Sequence, residues 1–195
     1  MKIVLLLCVA VAMLASIVSA QTTASPQKTA PYVRPTAEKR FKYFVVDTVG
    51  PLALAGDAVS AGYLQWAKDP REWGKGWNGY GKRFATTFGV SVVQNTMIYG
   101  VDEILKVDSH FYVIGKGSAA KRAENALISG FTARRSNGER TIGVSRLLGT
   151  YTANIVAREF WYPRRFNWKH GIRDGTYSLG INAAFNLFRE FVLKR

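Results

Sequence analysis

The side chains best suited to chemistry lie together in one short segment, Asp108-Ser109-His110. A serine nucleophile, a histidine base and an orienting carboxylate are the members of a serine-hydrolase triad. Triad members come from distant parts of a fold, however, and no nucleophile-elbow sequence surrounds a serine in this chain. We therefore predict that His110 is a solvated loop residue and that this segment is not a triad.

Few residues are available for metal binding or for acid–base catalysis. The two histidines, His110 and His170, could join Asp108 in a two-histidine, one-carboxylate metal site, but their spacing does not support one, and we predict no metal ligands. Acidic residues near apolar helix faces could pair as acid and base. Helix-end charges and ion pairs with arginine are the more common roles. The acidic residues concerned are Asp47, Asp57, Asp102 and Glu103.

The glycine-rich segment 74–82 is the only candidate for a phosphate-binding loop. It lacks both the Walker pattern and the dinucleotide-binding pattern, and it does not follow a predicted strand. We predict a flexible loop and no cofactor. The sequence thus predicts no catalytic and no cofactor-binding residue, and a small exported hydrolase or metal enzyme is kept only as an alternative.

The first twenty residues predict a signal peptide. Lys2 supplies a positive start, residues 3–18 are uncharged and mostly apolar, and Val18-Ser19-Ala20 has the small-x-small pattern of a cleavage site. The only cysteine, Cys8, lies inside this segment, so the mature chain has no disulfide and no thiolate ligand. We predict an exported bacterial protein of the periplasm or envelope, with secretion as the alternative.

The rest of the chain divides into a tether and one domain. Residues 21–40 contain Pro26, Pro31 and Pro35 among small and polar residues, which predicts a disordered linker. Residues 41–195 are enough for a single domain with a sizeable core.

Hydrophobic periodicity predicts a mainly α-helical protein, a compact bundle of about four to five helices. The clearest pattern is the apolar stripe Tyr177, Ile181, Phe185, Phe188 and Val192, which is typical of a core-facing helix. The predicted helices are 51–68, 79–107, 118–131, 142–160 and 176–194.

Two β alternatives stay open. Apolar residues also alternate with small and polar ones over 177–187, as in a strand facing lipid, so an outer-membrane β-barrel is the alternative fold. Asn137-Gly138 is a strong hairpin signal, so 128–147 could form a β-hairpin.

Small residues spaced four apart give each predicted helix a flat strip for close packing. Such strips suit a tight bundle in water, which we favour, or helix association in a membrane. The longest uncharged run, 84–101, contains many polar residues, so we predict no typical transmembrane helix after the signal. The strips are Ala58 and Gly62; Gly81, Ala85 and Gly89; Ala119 and Ala123; Gly149, Ala153 and Ala157; and Gly180 and Ala184.

Charge and tryptophan point to a partner. Lysine and arginine total 27 against 13 acidic residues, a net charge of +14 that attracts polyanions. All five tryptophans fall in two connecting segments, 66–83 and 161–170, among many cations. Aromatic rings with polar edges suit the headgroup layer of a membrane, although they also stack on sugars or bases.

We therefore predict a non-enzymatic structural or binding protein of the envelope that contacts anionic lipid headgroups or envelope polymers. Nucleic acid is the less favoured partner, and a homo-oligomer is possible. The predicted contact residues are Trp73, Trp77, Lys82, Arg83, Trp161, Arg164, Arg165, Trp168 and Lys169.

Short stretches resemble a group of exported bacterial proteins of unknown function. They are Tyr-Gly-Lys-Arg-Phe at 80–84 with Asn95 beyond it, Trp-Tyr-Pro at 161–163, and Asn-Leu-Phe-Arg-Glu-Phe at 186–191. The resemblance extends over most of the mature chain and implies a helical fold. It implies no activity, cofactor or site residue.

Overall fold

The computed structural model describes residues 32–193, and within that range the protein is mainly helical. Gly50 alone separates the first two helices, so they form one interrupted rod. With this rod counted once the described chain has five helices, and the predicted mainly α-helical bundle of about four to five helices is confirmed. The helices are α1 (Ala37–Val49), α2 (Pro51–Ala67), α3 (Gly76–Leu105), α4 (Ala119–Ser129), α5 (Val144–Val156) and α6 (Trp168–Phe191), with a 3-10 turn at Arg71–Trp73 and a π-helical turn at Ala157–Trp161.

The interruption of the rod follows from its sequence. Pro51 has no backbone N–H to donate and occupies the first position of α2, where none is needed. Gly50 is extended, and a Cβ there would lie 2.3 Å from the carbonyl oxygen of Val46. A residue with a side chain would therefore force the two helices apart.

The strands of the described residues are limited to one antiparallel hairpin, β1 (Thr132–Arg134) and β2 (Arg140–Ile142), with Ala133 opposite Thr141. Gly138 in its loop has a φ of +87°, which the Asn-Gly signal anticipates. The hairpin alternative for this segment is confirmed. The strand interpretation of 177–187 is wrong, because these residues lie inside α6 and the described chain forms no barrel.

The domain begins earlier than predicted. Thr36 caps α1, and the segment before it packs on the bundle, with the Tyr32 hydroxyl donating to Asp108 at 2.5 Å. The part of the predicted linker from residue 32 onward is thus ordered. The predicted signal peptide (1–20) and linker residues 21–31 lie outside the described residues.

The last helix also begins earlier, at Trp168 rather than near residue 176. Asn167 accepts a hydrogen bond from Lys169 N–H, and the His170 ring accepts one from Asn167 N–H. This reciprocal capping starts the helix. Gly171 and Gly175 weaken the helical signal in this first part, which is why periodicity alone missed it.

Helix α3 is the centre of the bundle and packs against α1, α2 and α5, while α6 packs between α4 and α5. Three glycines explain how closely the helices approach. A Cβ at Gly149 would lie 2.8 Å from the Gln94 carbonyl oxygen, and one at Gly171 would lie 2.6 Å from Ile155 Cα. At Gly175 a Cβ would meet the Tyr151 ring at 2.6 Å.

The predicted small-residue strips are therefore correct in part. Ala153 and Ala157 are buried beside Gly149, so the α5 strip is confirmed. The α6 strip is wrong, because Gly180 faces open space and Ala184 is exposed. The α3 strip is wrong in its first part, because Gly81 and Ala85 are exposed.

Two glycine variants test this packing. Gly171→Ala is expected to lower the free energy of unfolding by about 1–3 kcal/mol, since its methyl group meets backbone atoms of α5. Gly180→Ala is expected to raise it by about 0.5–1 kcal/mol, because alanine lowers the entropy cost of the helix without a clash. Chemical denaturation followed by circular dichroism measures both. Equal effects at the two positions would contradict the close α5–α6 approach.

The apolar stripe of α6 faces outward, which corrects the prediction that it faces the core. Ile181 is 67% exposed, and Tyr177, Phe188 and Val192 are also exposed. The buried face of α6 is made instead of Gly171, Gly175, Leu179, Ala183, Asn186 and Glu190. Large side chains do not fit where backbones approach this closely, so small residues take the inside.

The interior of the bundle is accordingly small and polar. Its buried apolar residues include many alanines, and its largest fully buried side chains are Arg83, Glu190, Thr150, Pro70 and Ser145. Large apolar side chains are common on the outside. Soluble proteins place most of their large apolar residues inside, so this distribution is unusual for a protein in water.

By length and composition, one helix of the described chain could cross a membrane, the rod Ala37–Ala67. In the apolar 18-residue stretch on which this rests, 22% is buried inside the protein. Core helices pass the same test, so this alone assigns no span. The prediction that no typical transmembrane helix follows the signal peptide was based on uncharged runs, and Asp57 interrupts the apolar run of this rod. The structure buries Asp57, which accepts a hydrogen bond from Ser91 at 2.7 Å.

Candidate functional site

The two tryptophan-containing segments meet at one end of the bundle. The Trp73 ring centroid lies 4.9 Å from that of Tyr162, and Arg165 forms an ion pair with Glu72 at 2.7 Å. We call this surface, formed by residues 66–83 and 158–170, the Trp-rich end. The prediction that both segments serve one contact surface is thus consistent with where they lie.

The Trp-rich end presents both aromatic and positive side chains to the outside. Trp77 is 88% exposed and Trp66 is 78% exposed, while Trp168 and Trp161 are exposed to a lesser extent. The exposed cations around them are Lys68, Arg71, Lys75, Lys82, Arg164, Arg165 and Lys169. Of the predicted contact residues, seven are therefore on the surface: Trp77, Lys82, Trp161, Arg164, Arg165, Trp168 and Lys169.

Trp73 has a mainly structural position. It is only half-buried, but one face packs on Tyr162 and the Arg83 guanidinium lies 5.8 Å from its ring centroid. Trp161 has a mixed role, since it covers Gly89 of α3, where a Cβ would meet the indole at 2.9 Å.

Arg83 is not a surface residue, which corrects its assignment to the contact surface. It is completely buried, and its guanidinium donates to the carbonyl oxygens of Asp69, Pro70, Gly74 and Gly79 and to Gln65 Oε1, at 2.6–3.1 Å. Each of its three guanidinium nitrogens donates inside the protein. Adjacent residues on a helix point about 100° apart, so Lys82 is exposed while Arg83 anchors the turn before α3.

Two ion pairs, Arg158 with Asp174 and Arg165 with Glu72, reduce the free positive charge of this end. Arg158 is buried between the Tyr162 and Phe166 rings and pairs with Asp174. The backbone N–H of Glu72, and then Arg165, lower the pKa of the Glu72 carboxyl, which is thus ionised beside Arg165. The cations outside these pairs carry the electrostatic attraction of the surface.

Two exposed aromatic residues of this end are absent from the predicted contact residues. Phe160 is 79% exposed in the π-helical turn, and Trp66 ends the exposed face of α2. The signal for Trp66 was available, because Val59 and Tyr63 precede it at helical spacing and are also exposed.

At the opposite end of the bundle, the Asp108-Ser109-His110 segment does not form a triad. The Ser109 hydroxyl contacts Asp102 Oδ1 at 2.9 Å and Ser145 Oγ at 3.2 Å, and no hydrogen bond joins it to His110. His110 Nδ1 lies 3.0 Å from Asp47 Oδ2 instead.

His110 is also not the solvated residue that we predicted. Its ring stacks on Tyr43 at 4.2 Å between centroids, and its side chain is 16% exposed. Asp108 is buried and accepts hydrogen bonds from Tyr32 and Tyr112. Burial, together with the Asp108 carboxylate, raises the pKa of both phenols, so they act here as donors that close this end of the fold.

Within residues 32–193 no three histidine or acidic side chains are grouped as metal ligands would be. His170 caps α6, far along the chain from the Asp47–His110 pair. The predicted ion pairs with arginine are confirmed for Glu103, which Arg40 contacts at 2.5 and 2.8 Å. Asp102 accepts from Ser109 and Ser145 rather than pairing with another carboxyl group.

Amides in apolar helices link neighbouring helices, as expected of buried polar groups. Asn95 donates to the Asp47 carbonyl oxygen at 2.9 Å, joining α3 to α1, and Asn186 donates to that of Ala126 at 3.2 Å, joining α6 to α4. These contacts are structural.

Comparison with known proteins adds no assignment to this geometry. The resemblance to exported bacterial proteins therefore stays a prediction. No protein-family model matches the chain, and no match was found among curated proteins or among solved structures.

Proposed function

We propose that the protein is a non-enzymatic membrane-associated protein of the cell envelope that binds anionic lipid headgroups through its Trp-rich end. The observation that carries this proposal is the joint exposure of Trp66, Trp77 and Trp168 with several lysines and arginines on one end of the bundle. Export to the envelope is part of the proposal and rests on the sequence of residues 1–20.

The chemistry of this surface matches a membrane interface. An indole has a large apolar body and one N–H donor, and it prefers the layer where acyl chains meet headgroups. Lysine and arginine place their charges toward phosphates while their aliphatic stems lie on apolar surface. Each cation near an anionic membrane contributes about 1 kcal/mol to binding.

Lipid is favoured over an acidic polymer by the apolar residues beside the cations. Phe160 and Trp66 are largely exposed, and the exposed side of α2 continues with Tyr63 and Val59. A soluble polyanion would contact the cations and leave this apolar surface in water. A membrane accepts both.

Lipid titration of the detergent-solubilised full chain, followed by native mass spectrometry, tests the proposal. Phosphatidylglycerol is expected to bind in preference to phosphatidylcholine, and less so as ionic strength rises. The triple variant Lys82→Gln, Arg164→Gln and Lys169→Gln is expected to lower the affinity for phosphatidylglycerol by about tenfold to a hundredfold.

A charge-matched control is Lys116→Gln, Lys121→Gln and Arg135→Gln, which removes three exposed cations from the opposite end. It should leave phosphatidylglycerol binding nearly unchanged. Equal binding of the two lipids by the native chain, or equal losses in the two triple variants, would refute the assignment to the Trp-rich end.

A further inference from the structure

One side of the bundle between its two ends, formed by α2, α3, α5 and α6, exposes no charged side chain. In the stretches 51–67 of α2, 84–101 of α3, 147–157 at α5 and 175–188 of α6, every exposed residue is uncharged. The single charged residue in these stretches, Asp57, is 7% exposed and faces α3. We call these four stretches the uncharged belt. Its largest exposed side chains include Leu52, Val59, Tyr63, Tyr177, Ile181 and Phe188.

The four stretches lie side by side at one level of the bundle. Each of them contacts its neighbour within the belt rather than at a helix end, so the uncharged surface runs from α2 over α3 and α5 to α6. It does not close around the bundle, because α4, which exposes Lys121 and Glu124, packs on α6 at Ala183 and Asn186. The contacts are Asp57 with Ser91 between α2 and α3, Gly149 with Ile98 between α5 and α3, and Gly175 with Tyr151 between α6 and α5.

Charged residues resume at both edges of the belt. The Trp-rich end forms one edge. At the other edge, Lys39 and Lys42 of α1 are exposed, and Glu103 and Lys106 follow the α3 stretch directly. Tryptophan and cations at the edge of an apolar zone are typical of proteins in a bilayer.

The height of the belt on α2 and α3 approaches the thickness of a bilayer, whereas the α6 and α5 stretches, with 14 and 11 residues, are shorter. The α3 stretch has 18 residues, which span about 27 Å at about 1.5 Å per residue. The hydrocarbon core of a membrane is about 30 Å thick. Inside the belt, Gly149 lets α5 approach the backbone of α3, and Gly175 makes room on α6 for the Tyr151 ring of α5. Small residues at helix contacts are what holds helices together where lipid surrounds them.

From these observations we infer that the uncharged belt lies in the hydrocarbon core of an envelope membrane, with α2 and α3 extending through most of it, the shorter stretches of α5 and α6 packed beside them, and acyl chains contacting Val59 and Ile181. The inference rests on the proposed function in that it needs a membrane. It goes further because headgroup binding alone would leave the belt in water. It also accounts for the outward apolar stripe of α6 and for the polar interior.

Single-cysteine labelling tests the inference, starting from a full chain with Cys8→Ser. Val59→Cys and Ile181→Cys place the thiol in the belt, where the native side chains are 74% and 67% exposed. Lys42→Cys and Lys75→Cys place it beyond each edge and are matched controls. Each variant is labelled with a bimane maleimide in detergent and reconstituted into vesicles of phosphatidylglycerol and phosphatidylcholine.

Fluorescence from the two belt positions is expected to be quenched by lipids with a doxyl group at mid-chain and to resist aqueous iodide. The two control positions should show the reverse. Unlabelled belt thiols in vesicles should also escape a membrane-impermeant maleimide that modifies Lys42→Cys or Lys75→Cys. Belt positions that iodide quenches as strongly as the controls would overturn the inference.

The outcomes separate this inference from the proposed function. Salt-sensitive phosphatidylglycerol binding with iodide-accessible belt positions would keep headgroup binding and refute insertion. Doxyl quenching that is the same without phosphatidylglycerol, with no anionic preference, would keep insertion and refute headgroup selectivity. Belt thiols protected in lipid-free buffer, in a dimer detected by light scattering, would show that a second copy covers the belt and would also refute insertion.

Discussion

Arg83→Met is expected to lower the free energy of unfolding by about 3–5 kcal/mol, because it leaves buried acceptors without a donor. The guanidinium binds four backbone carbonyl oxygens and Gln65 Oε1, and no part of the side chain is exposed. Methionine fills a similar volume but donates nothing. The turn between α2 and α3 would then lose the group that holds its carbonyls together.

Lys82→Met is the matched control, since it removes the same charge from the adjacent, exposed residue. It should change stability by no more than about 0.5 kcal/mol. Arg83→Lys should fall between the two, because an ammonium group cannot reach five acceptors arranged around a planar fork. Urea denaturation of the detergent-solubilised protein, monitored by tryptophan fluorescence, measures all three. Similar losses for Arg83→Met and Lys82→Met would refute the anchoring role.

The helices themselves were predictable because their signals are local. Pro51 marks the start of α2, and the Asn137-Gly138 pair marks the hairpin, so periodicity and turn chemistry place both correctly. The start of α6 was not predictable from periodicity, because Gly171 and Gly175 are present for contact with α5. The contact that requires these glycines is made with α5, so the sequence of α6 alone does not reveal it.

Orientation was the larger error, and it has one physical cause. The stripe of Ile181 and Phe188 predicts a core-facing surface only if the surroundings are water. In the structure the close helix contacts of Gly171 and Gly175 decide which side of α6 is inside, and the large side chains are left outside. A pattern of apolar residues shows that a helix has two faces. It does not show which face meets the other helices.

The same limit applies to the contact surface. Composition identified the two tryptophan-containing segments, and in the structure the rings of Trp77 and Trp168 and the cations around them lie on one end. Composition could not separate Lys82 from Arg83, because both are basic residues in one helical turn. Only the carbonyl groups of a folded turn, such as those of Pro70 and Gly74, distinguish an anchor from a binding residue.

Polar anchoring recurs at the other end of the bundle, in Glu190 of α6. This side chain is fully buried, accepts hydrogen bonds from the backbone N–H groups of Ile114 and Gly115 at 3.0 and 2.9 Å, and pairs with Arg122 at 2.8 Å. One carboxylate thus ties the loop before α4, and α4 itself, to the last helix.

Glu190→Gln is expected to lower the free energy of unfolding by about 3 kcal/mol or more, because it removes the only charge partner of Arg122 found among the described residues and turns an NH2 group toward N–H donors. Amide exchange at Ile114 and Gly115 should accelerate at the same time. Glu124→Gln, which changes an exposed carboxyl group on α4, should leave both quantities nearly unchanged. Exchange at Ile114 that stays slow in Glu190→Gln would mean that apolar packing, and not this carboxylate, holds the loop to α6.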